Sequence, residues 1–135
     1  MSLWLVVKLY AVALTSFMAI DLLWLGVVAR SFYRSQLGPL MRADVNWAAA
    51  VAFYLVFVLG IVVLVVWPAM ERESLGQALL LGALFGLVTY AAYDLTNLAT
   101  LEGFPVRMVV VDMVWGTVLC AAVSAITYLA STRIA

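Results

Sequence analysis

The chain has 135 residues, 68 % of them hydrophobic and only 10 % charged. An ordinary globular chain is roughly 45–50 % apolar, so this composition is that of one integral membrane domain spanning residues 1–135. Seven basic and seven acidic residues give a formal net charge of +0, which excludes a general attraction to nucleic acid. Histidine is absent and cysteine occurs once, so no metal site and no cofactor is expected, and no internal disulfide can form.

Crossing a bilayer takes about 20 mainly apolar residues. The first such stretch covers about 3–29. It is too long for the roughly 7–15-residue core of a signal peptide and carries Asp21 near its end, so it reads as a retained helix. The connection "RSFYRSQLGPLMRADVN" (30–46) mixes three arginines with Phe32, Tyr33, Leu37, Leu40 and Met41. Two readings stand side by side: a segment in the headgroup layer with snorkelling arginines, or an ordinary polar loop.

Trp47 and Trp67 frame the second span (47–67), with Pro68 just after it. A helix of that length is about 30 Å long, which puts one tryptophan at each interface. "ERES" leads to a third span at 75–101, and "EGFP" to a fourth at 106–131. Short loops force antiparallel neighbours, so the fold class is all-α: an antiparallel bundle of four transmembrane helices. "AIDLLWL" (19–25) and "AYDLTNL" (92–98) agree at four of seven positions, which suggests two helical hairpins related as parallel repeats. Arg30, Arg34, Arg42 and Arg107 lie on one face, and Lys8, Arg72 and Arg133 on the other. That bias turns the first loop toward the cytoplasm and both termini outward.

With this topology Asp21, Asp94 and Asp112 fall in one layer, each about 9–12 Å inside the same surface. A mid-membrane aspartate is unfavourable by about 2.5–3.5 kcal/mol on insertion scales, less near helix ends. Three of them in a weakly screened layer call for a shared proton, a bound cation or a paired base, and Arg107 is the only base nearby. Trp24 follows Asp21 by three residues and Trp115 follows Asp112 by three, so each shares a face with its acid. Tyr90 precedes Asp94 by four, and Tyr93 precedes Asn97 by four. Acids ringed by aromatic faces suit a cation, or a flat hydrophobic molecule with one polar group. Asp21, Asp94, Asp112, Trp24, Trp115, Tyr90, Tyr93 and Asn97 are therefore the candidate ligand- or proton-binding residues. None has an assignable catalytic role.

Ala78, Gly82 and Gly86 form one line of small residues, and Gly116, Cys120 and Ser124 another. Such lines let helices approach closely, either within the third–fourth hairpin or across a homo-oligomer interface. Cys120 then serves as a small packing residue.

"DLLWLGVVARSFYRSQL", "NWAAAVAFYLVFVLG", "YDLTNLATL" followed by "GFP", and "DMVWGT" together resemble a bacterial family of small membrane proteins, catalogued as domain of unknown function 2177. The resemblance covers nearly the whole chain. It implies four membrane helices and a multi-pass address in the bacterial inner (plasma) membrane, and brings no established activity. Its recurring motifs include Asp21, Trp24, Asp94, Asn97, Asp112 and Trp115.

The preferred expectation is a membrane protein, in contact with lipids, that binds or transports a small amphipathic or cationic molecule with proton linkage. The alternatives are an intramembrane enzyme acting on a lipid or isoprenoid with paired aspartates as acid and base, and an accessory subunit whose polar seam is structural.

Overall fold

The computed structural model describes residues 1–134. Four helices are long and apolar enough to cross a membrane: Leu3–Val28, Trp47–Glu71, Leu75–Thr100 and Val106–Ile134. They pack as an all-α bundle, with no strand among the described residues. Large aliphatic side chains such as Val27, Val56 and Leu80 point outward, an inverted surface suited to lipid.

The first span is α1 (Leu3–Leu23), which widens into a π-helical turn at Trp24–Val28. Ser2 caps its start, accepting from the Leu5 amide at 3.1 Å. Residues 30–46 are not simply a loop. Arg30–Leu37 form a short amphipathic helix, α2, closed by Gly38 at φ 51°, a left-handed geometry that glycine accommodates without strain. Its Phe32, Tyr33 and Leu37 pack on Phe104, Met108 and Val109, so α2 lies over the start of the last span.

The second span begins at α3 (Trp47–Gly60), capped by Asn46, and continues through a π segment (Ile61–Val66) into α4 (Trp67–Glu71). The helix therefore runs past Pro68, where the sequence suggests an end. Proline cannot donate to the carbonyl four residues back and its ring crowds that carbonyl; the wider π turns just before it let the chain continue. A tight turn then leads to α5 (Leu75–Thr100), capped by Ser74. Residues 101–105 connect it to α6 (Val106–Ile134).

The α5–α6 pair is the best-packed part of the bundle. Every fourth residue of α5 faces every fourth residue of α6 in antiparallel order. Ala78 packs with Tyr128. A Cβ added to Gly82 would meet Ser124 Oγ at 2.7 Å and the Cys120 carbonyl at 2.8 Å. One added to Gly86 would meet the Gly116 backbone and, at 2.9 Å, Cys120 Cβ. One added to Gly116 would enter the Tyr90 ring. The two lines of small residues thus mesh with each other inside one chain. In the other hairpin α1 packs on α6 as well as on α3, and its core residues Leu9, Ala13 and Phe17 meet Phe57, Val58, Leu119 and Val123.

Candidate functional site

The packing lines end in acids. The buried stripe of α1 is Leu9, Ala13, Phe17 and Asp21, every fourth residue. The α5 line of Ala78, Gly82, Gly86 and Tyr90 continues to Asp94, and the α6 line of Ser124, Cys120 and Gly116 continues to Asp112. One more step of the same register sets Asp94 beside Asp112. Asp21 lies seven residues before Val28, Asp94 six before Thr100 and Asp112 six after Val106. All three therefore sit about 9–11 Å from the span ends at the face that carries α2.

Each acid is held differently. Asp21 is buried; its Oδ1 accepts from Trp115 Nε1 at 3.2 Å and its Oδ2 from the Tyr54 hydroxyl at 3.1 Å. Asp112 Oδ1 accepts from the Tyr33 hydroxyl at 2.8 Å, and the same Tyr33 oxygen accepts from Trp24 Nε1 at 3.2 Å. The Trp24 and Trp115 rings stack, with centroids 4.3 Å apart and planes at 9°. That stack joins the two hydrogen-bonded clusters. Asp94 is fully buried, and neither of its carboxylate oxygens has a hydrogen-bond partner among the described residues.

Outside the spans, burial pushes the Tyr33 hydroxyl well above its ordinary pKa, and the charges of Asp112 and Asp94 add to that while the Trp24 hydrogen bond opposes it. Tyr33 accordingly remains a neutral donor to Asp112 throughout the pH range in which carboxylates titrate.

A cavity of about 530 Å³ opens beside these groups, between all four spans. Asp21, Asp112, Tyr54, Tyr90 and Trp115 form its polar and aromatic wall, and Leu25, Phe53, Phe57, Thr89 and Tyr93 complete it. The two aspartates are the only charged residues of that wall.

Of the residues singled out by sequence, Asp21, Asp112, Trp115, Tyr90 and Tyr93 line the cavity. Trp24 braces the site through its stack and its hydrogen bond without lining it. Asp94 stands behind Asp112, off the cavity wall. Asn97 is half-buried and also off the wall. Convergence is thus partial, and no three acidic side chains among the described residues are grouped to hold a metal ion. Arg107, the one base near the layer, is exposed at the start of α6 and does not reach the cavity; only one helical turn separates it from the interface, where a guanidinium stays hydrated. The sequence also brings Tyr54 of the second span into the layer of the acids, and it is a partner of Asp21. It gives no such indication for Tyr33, whose signal is faint because it belongs to the apolar side of α2.

A family profile described as "Predicted membrane protein (DUF2177)" matches residues 6–129. The chain belongs to this family. The match takes in all three aspartates and both stacked tryptophans. Nothing among curated proteins or solved structures matches the chain.

Proposed function

We propose that this family member binds a small amphipathic cation in the four-span cavity and exchanges it for a proton, as a multi-pass protein of the bacterial plasma membrane. One observation carries the reading. The only charged groups on the cavity wall are Asp21 and Asp112, and no lysine or arginine lines it. A carboxylate in a weakly polar surrounding is compensated by a cation or neutralised by a proton. The wall offers both possibilities in turn: aromatic faces of Trp115, Tyr90 and Tyr54 favour an organic cation, and Asp94, beside Asp112 and without a donor, favours a proton held between the two carboxyl groups. Cation and proton then compete for the acidic site. The volume is in the range of about 300–1,000 Å³ that small-molecule pockets occupy.

The test uses tetraphenylphosphonium and protein in lipid nanodiscs, with tryptophan fluorescence as readout. Saturable quenching is expected, because Trp115 lines the cavity and is stacked on Trp24. Asp21→Asn and Asp112→Asn keep hydrogen-bonding capacity and remove charge. Each should weaken binding about ten-fold or more, the effect of losing roughly 1.5–3 kcal/mol of charge-assisted contact. Equal affinity in wild type and both variants contradicts the proposal.

A further inference from the structure

We infer that the cavity takes its ligand sideways from the lipid, through a mouth between α3 and α5, and that the ligand is a single-chain amphipath whose cationic head reaches Asp21 and Asp112 while its tail remains in the mouth. This rests on the cation reading above and adds to it the route and the class of ligand.

The bundle is open on one side. The second span meets α5 through Ile61–Val66 and α4, near the 72–74 turn, and at the end of α3 through Phe57, whose ring lies 5.2 Å from that of Phe85 and 6.2 Å from that of Tyr90. Before Phe57, α3 packs on α1, and α3 makes no close backbone approach to α5 or α6. Spans two and three therefore part toward the α2 face. Phe53 of α3 and Tyr93 of α5 both line the cavity and are nonetheless 46 % and 56 % exposed. These two side chains frame the opening. Phe53 lies six residues past Trp47, and Tyr93 seven before Thr100. The mouth is thus about 9–11 Å inside the span ends, at the depth of acyl chains in a hydrocarbon layer about 30 Å thick.

Toward the α2 face the site is braced: Tyr33 donates to Asp112, the Trp24–Trp115 stack lies between the two acids' clusters, and Phe32 and Leu37 of α2 are packed on Phe104, Met108 and Val109. A molecule reaching the cavity by the mouth must first partition into the bilayer. A bare ion does not partition; a chain does, at about 0.8 kcal/mol per buried CH₂. The uncompensated acids of the wall then select, among lipid-dissolved molecules, one with a positive head.

The test pairs dodecyltrimethylammonium with tetramethylammonium, on protein in phosphatidylcholine nanodiscs, again by tryptophan quenching. The double variant Phe53→Cys/Tyr93→Cys is bridged with a flexible, reducible bis-thiol linker; Cys120 is buried and stays unmodified. The linker-cleaved sample is its own control for folding. Dodecyltrimethylammonium should bind saturably and tetramethylammonium should not. Bridging should slow dodecyltrimethylammonium association about ten-fold or more, with recovery on reduction. Unchanged association in the bridged protein, or equal binding of the tail-less cation, overturns the lateral route while leaving the cation reading in place. Absence of binding by either probe overturns both. Bridging between two chains, seen as a doubled mass, means that a second copy covers this face, and overturns the route as well.

Discussion

Asp94 is the most demanding residue in the bundle. A buried polar group without a partner costs about 1–3 kcal/mol, and both of its oxygens lack one. Asparagine at this position brings a fixed N–H donor to Asp112 in place of the proton held between the two acids. Asp94→Asn should raise the thermal unfolding midpoint in detergent, by an amount equivalent to about 1–3 kcal/mol; a lowered midpoint would mean that the acid itself supports the packing. Tyr33→Phe works in the other direction. It takes the donor from Asp112 and the acceptor from Trp24 Nε1. It should lower stability by about 1–3 kcal/mol and shift the tryptophan emission to shorter wavelength, since the Trp24 indole loses its acceptor; an unchanged spectrum would contradict the hydrogen-bonded Trp24. At this scale the sequence shows an acid and a tryptophan one helical turn apart on spans one and four, yet each tryptophan serves the other acid's cluster: Trp115 donates to Asp21, and Trp24 to Tyr33, which donates to Asp112. Tyr54 is placed at that depth by topology, but Tyr33 is not revealed, since its partner is 79 residues away and is set by packing alone.

The α5–α6 seam shows how far element-level reasoning reaches. Small residues at every fourth place are visible in the sequence, but their partner is not, and both a hairpin and an oligomer were open. The meshing of Gly82 and Gly86 with Gly116, Cys120 and Ser124 assigns them to the hairpin. Gly86→Leu should therefore deplete folded protein itself, where a dimer contact would only shift association state. Size-exclusion chromatography with circular dichroism separates the two. Gly116→Ala is subtler: its methyl must displace the Tyr90 ring, which lines the cavity. Overpacking of this kind costs about 1–3 kcal/mol, and probe binding should fall with it. Full-strength binding in Gly116→Ala would show that Tyr90 is not needed as a wall. The four spans were legible from apolar length. The passage of the second helix beyond Pro68 was not, since it depends on π turns that no composition rule indicates. Nor was α2, whose short amphipathic pattern becomes decisive only once α6 supplies a surface for it.

Across the whole molecule, charge is arranged so that the layer of the three acids, near the α2 face, holds no base beside them. Net charge is zero, yet Asp21, Asp94 and Asp112 lie within the spans while Arg30, Arg34, Arg42, Arg72, Arg107 and Arg133 are exposed and Lys8 sits near the opposite end of the first span. Topology made that layer readable: antiparallel helices bring late residues of spans one and three beside early residues of span four. The separation of the three acids into a cavity pair and a hidden neighbour was not readable, because it turns on side-chain packing around Tyr90 and Trp115. The most direct measurement is the proton count on ligand binding. Tetraphenylphosphonium is added to nanodisc-embedded protein in weak buffer near neutral pH, with a pH indicator present. Cation–proton exchange predicts release of about one proton per bound cation, and an affinity that falls steadily from about pH 9 to about pH 5. Binding that releases no proton and is equally tight across that range would contradict exchange at the acidic cavity.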